Sequence, residues 1–179
     1  YTFASWNLSD MNYTTGVYHY FGNSTTDYTS NQSTALNGVT ATYFMNLDYG
    51  SGWTAYFTAV WTANKYYIEY VAGGGELGDK KPSEATFDQW FSISVPASAP
   101  QGYYFNGWVI SNMTTDCDHY YGSSTTVYTT NKLATHTAET TDLYFKNLHS
   151  GSLSTTYTIT ITINWSPYEY AVSYDLKGG

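Results

Sequence analysis

The sequence predicts a mainly β protein, built as tandem small antiparallel-sheet domains of about 100 residues. Three observations carry this: a composition rich in strand formers, an apolar/polar alternation of period two, and a self-repeat. The composition is 20% aromatic, with 21 Tyr, and only 11% charged. Thr, Tyr, Val and Ile favour a pleated, half-buried surface, while the residues that fill helix surfaces are scarce. No segment holds a 3.6-residue periodicity over ten positions.

The second observation is clearest from Tyr157 to Trp165. There Ile159, Ile161, Ile163 and Trp165 alternate with Thr158, Thr160, Thr162 and Asn164. Such a pattern puts the Ile/Trp set on a buried face. The earlier counterpart places Ala55, Phe57, Ala59 and Trp61 inward. Tyr66–Tyr70 and Tyr170–Tyr174 read as another strand, with Ile68/Tyr70 and Val172/Tyr174 inward. Both run into glycines, Gly73-Gly74-Gly75 and Gly178-Gly179. Phe87 to Val95 reads as a strand bracketed by Pro82, Pro96 and Pro100. Tyr103–Ile110 is a further one. Asn37-Gly38 predicts a tight hairpin, and a short helical turn is expected near Pro82-Ser83-Glu84. In all, five or six short strands are expected per unit.

The third observation is the repeat. Tyr1-Thr-Phe-Ala-Ser-Trp6 matches Tyr103-Tyr-Phe-Asn-Gly-Trp108. Phe21-Gly-Asn-Ser-Thr-Thr-Asp-Tyr-Thr-Ser-Asn31 matches Tyr121-Gly-Ser-Ser-Thr-Thr-Val-Tyr-Thr-Thr-Asn131. Tyr43-Phe-Met-Asn-Leu47 matches Tyr144-Phe-Lys-Asn-Leu148, and Trp61 matches Trp165. Tyr70–Gly75 matches Tyr174–Gly179. Four blocks in one order, at a spacing of about a hundred residues, exceed what biased composition gives. The expected organisation is residues 1–61 as the later part of one unit, 62–165 as a complete unit, and 166–179 as the opening strand of a further unit. The chain begins at Tyr1, inside a motif, and so reads as a processed or excised piece of something longer.

Charge and cysteine content exclude several functions. The net charge is -8, with 6 Lys+Arg against 14 Asp+Glu. That disfavours nucleic acid and polybasic docking on anionic lipid. A single cysteine, Cys117, allows no disulfide framework or thiolate cluster within the chain. No apolar run is long enough to span a bilayer.

Tyr70, Gly73-Gly74-Gly75, then Gly102-Tyr-Tyr-Phe-Asn-Gly-Trp108, then a strand closing on Trp165 form an ordered set. In that order the chain resembles the Listeria–Bacteroides repeat, related to the internalin B-repeat. The resemblance implies β-grasp-like modules in a microbial surface protein, acting as spacers, adhesive stalks or assembly units. It implies no catalytic residues. The chain departs from the pattern in an extra segment, about Cys117 to Asp142, and in Ser5, which stands where the family has the Gly of a Gly-Trp pair.

Candidate chemistry is sparse. Asp116-Cys117-Asp118-His119 is the densest run of metal-capable side chains, but a strand splits it between two faces, and a polar loop is the simpler reading. No metal, cofactor or catalytic set is assigned, and the chain reads as a non-enzyme. Lys65, Lys146 and Lys177 sit at strand edges, where a lysine–asparagine crosslink is conceivable only by analogy. Six sequons stand out, at Asn7, Asn12, Asn23, Asn31, Asn112 and Asn164, as glycosylation candidates. The four tryptophans Trp6, Trp61, Trp108 and Trp165 are expected to be core anchors. Tyr170, Val172 and Tyr174 form the expected assembly strand. The expected function is a structural repeat region of a secreted, extracellular cell-surface protein. It would form a stalk, filament or surface layer by stacking or strand donation, with copies of itself as partners and glycans as possible additions. The alternative is an adhesin-type module binding carbohydrate or protein on another cell.

Overall fold

A computed structural model describes residues 1–12, 16–48, 52–151, 157–175 and 177–178. These form an all-β structure of several small, mostly antiparallel sheets, with no helix among the described residues. The chain divides into two compact units, Tyr1–Thr62 and Ala63–Gly179.

Unit 1 holds six strands: β1 (Thr2–Ser9), β2 (His19–Gly22), β3 (Tyr28–Asn31), β4 (Leu36–Val39), β5 (Tyr43–Met45) and β6 (Tyr56–Thr62). They make two three-stranded sheets, β4-β1-β6 and β3-β2-β5. Leu8, Met11, Val39 and Ala41 form a small core, with Trp6, Phe21, Phe44 and Leu47 packed against it.

Unit 2 holds nine: β7 (Lys65–Val71), β8 (Glu84–Thr86), β9 (Phe91–Ser92), β10 (Tyr103–Ser111), β11 (His119–Gly122), β12 (Tyr128–Asn131), β13 (Thr135–Ala138), β14 (Tyr144–Lys146) and β15 (Thr158–Pro167). One sheet runs β13-β10-β15-β7-β8, the other β12-β11-β14-β9. Its core is larger. Tyr66, Ile68, Ile93, Trp108, Ile110, Phe145, Leu148, Ile159, Ile161 and Ile163 are all buried in it.

The two pairing patterns correspond strand for strand. In unit 1 Trp6 pairs with Ala59 and Leu8 with Phe57. In unit 2 Trp108 pairs with Ile163 and Ile110 with Ile161. The hairpin His19↔Asn31 has the register of His119↔Asn131. Unit 2 then adds β7 and β8 beyond β15, and β9 beyond β14. Among the described residues no strand pairs with the matching outer edges of β6 and β5.

Several expectations change on contact with the fold. Unit 2 has more strands than five or six, and β7 pairs parallel to β15, so the sheet is mixed. Asn37 and Gly38 make no hairpin; they lie inside β4, where Gly38 has φ 72° and the β1–β4 register shifts. Gly38 N–H there donates to Asn7 Oδ1 at 3.1 Å, so the pair forms a bulge. No helical turn occurs at Pro82-Ser83-Glu84, because Glu84 starts β8 and pairs with Tyr67. The Phe87–Val95 strand shrinks to Phe91–Ser92. Asp88, at φ 61°, turns the chain away, and Val95 is exposed.

The tryptophan expectation holds for Trp108, fully buried, and in part for Trp6 and Trp165, which are half-buried. Trp61 is 58% exposed and Phe57 44%, although both share the inward phase of β6. Periodicity finds the face of a strand; burial also needs a neighbour beyond it. Ile161, at Phe57's matching position, is 0% exposed, with β7 alongside. Tyr170–Tyr174 forms no strand in the single chain, and Tyr170, Val172 and Tyr174 are all highly exposed. An extended segment without a partner edge has nothing to pair with.

Candidate functional site

The strand edges of unit 1 are best understood from what fills the same edges in unit 2. Residues 70–75 of unit 2 lead from β7 into a glycine loop. Trp165, near the end of β15, lies against that loop, and its Nε1–H donates to Ala72 O at 2.7 Å. A Cβ on Gly75 would come within 2.3 Å of the Trp165 ring, so only glycine permits the approach. Gly73, at φ 60°, lies over the same ring. The indole thus locks the end of β7 to β15.

The other sheet holds a second lock. Trp90, just before β9, packs on Tyr120 and Tyr128, with ring centroids 6.0 and 5.3 Å away. Lys146 Nζ stands 4.3 Å from the Tyr120 ring centroid and 5.6 Å from that of Trp90. Phe91 stacks on buried Phe145 at 5.6 Å. Asp88 and Asn147 close the site reciprocally. Asp88 N–H donates to Asn147 Oδ1 at 2.6 Å, and Asn147 Nδ2–H to Asp88 Oδ1 at 2.8 Å.

Unit 1 has matching residues at the corresponding positions of each lock. Trp61 stands where unit 2 has Trp165, and touches Phe3 edge-on at 5.8 Å. Tyr20 and Tyr28 meet edge-on at 5.3 Å, as Tyr120 and Tyr128 do at 5.4 Å. The cleft beside them, lined by Phe21, Tyr43, Phe44 and Met45 as well, has a volume of about 210 Å³. It is mostly apolar and lies where unit 2 seats Trp90. No charged residue occurs on β1 or β6. Edges of this kind add strands through backbone hydrogen bonds, with side-chain sockets giving selectivity.

His119 and the matching His19 are both fully buried. His119 Nδ1 lies 3.1 Å from Asn147 O and His19 Nδ1 2.5 Å from Asn46 O. Asn46 and Asn147 both have φ 58°, so each histidine braces a left-handed residue at the end of a short strand. Each Nε2 is buried with no partner among the described residues. Retention of a His in both blocks therefore has a structural cause. Burial holds the His119 imidazole below its ordinary pKa, against the opposing effect of Asp118 and Asp116.

The Asp116–His119 run does not converge. Asp116 and Asp118 are exposed, Cys117 is half-buried, and His119 points into the core. Cys117 Sγ–H donates to Asn147 O at 3.4 Å, and burial pushes the thiol up. Among the described residues no three His, Cys, Asp or Glu side chains could hold a metal ion together. Lys65 pairs with Glu84 at 2.5 Å, Lys146 lies over aromatic rings, and Lys177 is exposed.

None of the sequon asparagines is buried. Asn23 and Asn112 are exposed; Asn7, Asn12, Asn31 and Asn164 are half-buried. Asn164, on the Thr face of β15, donates from Nδ2 to Asn106 O at 3.2 Å. The open tyrosine cleft and the edge of β6 were not legible as sites in the sequence. The signal that could have found them was Trp90, which lies outside the repeated blocks. No family model matches the chain, and no curated protein or solved structure matches it.

Proposed function

We propose that the chain is a structural repeat segment of a secreted cell-surface protein, in which tandem copies of one β unit build a stalk, filament or surface layer. The observation that carries this is the strand-for-strand pairing of β1–β6 with β10–β15, including matched registers at Trp6↔Ala59 and Trp108↔Ile163. Matched sequence blocks with matched registers are what duplication of one module leaves. On this reading unit 1 is a copy whose β7–β9 counterparts come from elsewhere. The order of Tyr70, Gly73–Gly75, the Gly-Trp strand and Trp165 supports a Listeria–Bacteroides-type, β-grasp-like module. A chain rich in Tyr and Thr, poor in charge and carrying six sequons suits an extracellular, glycosylated setting. Electron microscopy of the concentrated protein tests the reading. Ordered linear or sheet-like polymers with one regular repeat support it; dispersed particles at every concentration contradict it.

A second reading is an adhesin-type module, with the Tyr20–Tyr28 cleft stacking on sugar rings. The cleft matches the seat of Trp90 in unit 2, which favours an indole from a like module over a sugar. Binding of the full chain to a panel of immobilised glycans, lost in Tyr28→Ala, would reverse that preference.

A further inference from the structure

We propose that the outer edge of β6 accepts the segment Tyr170–Gly179 of a second copy of this chain, added parallel to β6 and locked by Trp61. The proposal rests on the reading of unit 1 as an incomplete copy. It adds the edge, the direction and the lock.

The donor is identified by sequence and by exposure. Tyr170–Gly179 repeats the β7 segment with Tyr170, Tyr174 and two of the three glycines in place, Lys177 standing where unit 2 has Gly73. In the single chain the described residues of this segment pair with no strand, and Tyr170, Val172 and Tyr174 are 78%, 71% and 85% exposed. Three large exposed side chains on a segment outside any strand suit a donor rather than a solvated linker. The acceptor is identified by what unit 2 does. There β7 runs parallel to β15, with Ile68 beside Ile159 and Tyr70 beside Ile161. Carried to unit 1, Val172 lies beside Ala55 and Tyr174 beside Phe57. Trp61 then donates to the backbone before the glycines, as Trp165 does to Ala72 O. The volumes trade sensibly: the small Ala55 meets Val172, and Tyr174 covers Phe57, which already meets Trp6 and Phe44 edge-on but is 44% exposed.

Backbone polarity fixes a sensitive position. Tyr67 N–H donates across the parallel pair to Tyr157 O at 2.7 Å, whereas Ile68 N–H turns to Ser83 O at 2.9 Å. Alternate residues face alternate neighbours, so Glu69 shares the orientation of Tyr67. Ser173 occupies Glu69's position in the tail. Its N–H therefore faces β6, and proline there removes a ladder donor from a position that lies in no strand in the free chain. The absence of charge on β1 and β6 makes this edge insensitive to salt. Because donor and acceptor are different surfaces, copies link head-to-tail into a growing chain or exchange segments reciprocally as a dimer.

The test is the concentration-dependent mass of the full chain by light scattering and sedimentation, for wild type, Ser173→Pro and Trp61→Ala. Wild type should form dimers or larger species as concentration rises, and each variant should associate at least about tenfold more weakly. An equimolar mixture of the two variants should form heterodimers, because one keeps its acceptor and the other its donor. A synthetic peptide of residues 168–179 should cap the wild-type assembly. Unchanged assembly of Ser173→Pro, or a wild-type monomer at all concentrations, overturns the proposal. A monomer whose Trp61 is shielded from quencher until Ser173→Pro exposes it also overturns it, since the tail then folds back on its own chain. A peptide of residues 66–75 separates the two claims. If it binds the wild-type chain and the tail peptide does not, the donor is wrong and the incomplete-copy reading stands. If neither binds, both fall.

Discussion

Trp61 and Trp165 are one residue type at one position of two matched strands, so Trp→Ala at each compares the same change with and without a neighbouring strand. In unit 2 the half-buried Trp165 indole lies against Gly73 and Gly75, meets Phe105 edge-on at 6.2 Å, and donates to Ala72 O at 2.7 Å. Removing roughly 100 Å² of buried apolar area costs about 2.5 kcal/mol. The lost hydrogen bond adds about 1 kcal/mol, for a total of about 3–4 kcal/mol. Trp61, 58% exposed, retains mainly its edge contact with Phe3, and its removal should cost about 0.5–1 kcal/mol. Urea unfolding at low micromolar concentration, followed by circular dichroism and fitted as two transitions, reads both values. Dilute protein is essential, because association would stabilise unit 1. Equal costs at the two sites would refute the claim that β7 and its glycine loop make the difference between them.

Three further outcomes follow from the geometry. Gly107→Ser should destabilise unit 2 by about 2 kcal/mol or more in the same assay. Gly107 has φ 92°, and a Cβ there would sit 2.2 Å from Ala138 O; Ser5 is tolerated in unit 1 because its strand passes that point without the left-handed kink. Acidification below pH 6.5 should lower the melting temperature of unit 2. His119, His136 and His149 are all held below their ordinary pKa mainly by burial, so the unfolded chain binds protons first. Their contribution is complete above the unfolded-state value and is lost as pH falls toward the folded ones; a melting temperature flat from pH 7.5 to 5 would contradict this. Expression in a glycosylating host should add glycan mass to peptides holding exposed Asn23 before those holding Asn164, whose Nδ2 is engaged with Asn106 O. Glycan on Asn164 alone would reverse that order.

Much of the architecture was legible because two-residue periodicity reports which face of a strand is apolar. The strands β7, β10 and β15 lie within a residue or two of their expected bounds for that reason. What periodicity lacks is knowledge of the next strand over. Phe57 and Trp61 carry the inward phase yet stand open, and the tail carries the phase of β7 yet pairs with nothing. Local backbone was the second blind spot. Asn37-Gly38 reads as a hairpin by composition, but Asn7 takes the Gly38 N–H and makes a bulge of it. Asp88 ends the expected Phe87–Val95 strand because Asn147, distant in sequence, accepts its N–H and pays for its left-handed turn. In the sequence His119 ends a polar, metal-capable run, and nothing there marks it or His19 as structural. Their role as braces depends on two carbonyls whose orientation only the fold sets.

The account stands on unit 1 being the same fold as unit 2 with the positions of β7–β9 open. Amide hydrogen exchange of the dilute full chain, with and without a synthetic fragment of residues 63–95, tests this most directly. In the free chain the amides of β5 and β6 should exchange much faster than those of β14 and β15. Adding the fragment should protect β5 and β6 together while leaving unit 2 unchanged. Equal protection of the two pairs in the free chain, or no response of β5 and β6 to saturating fragment, would contradict the account.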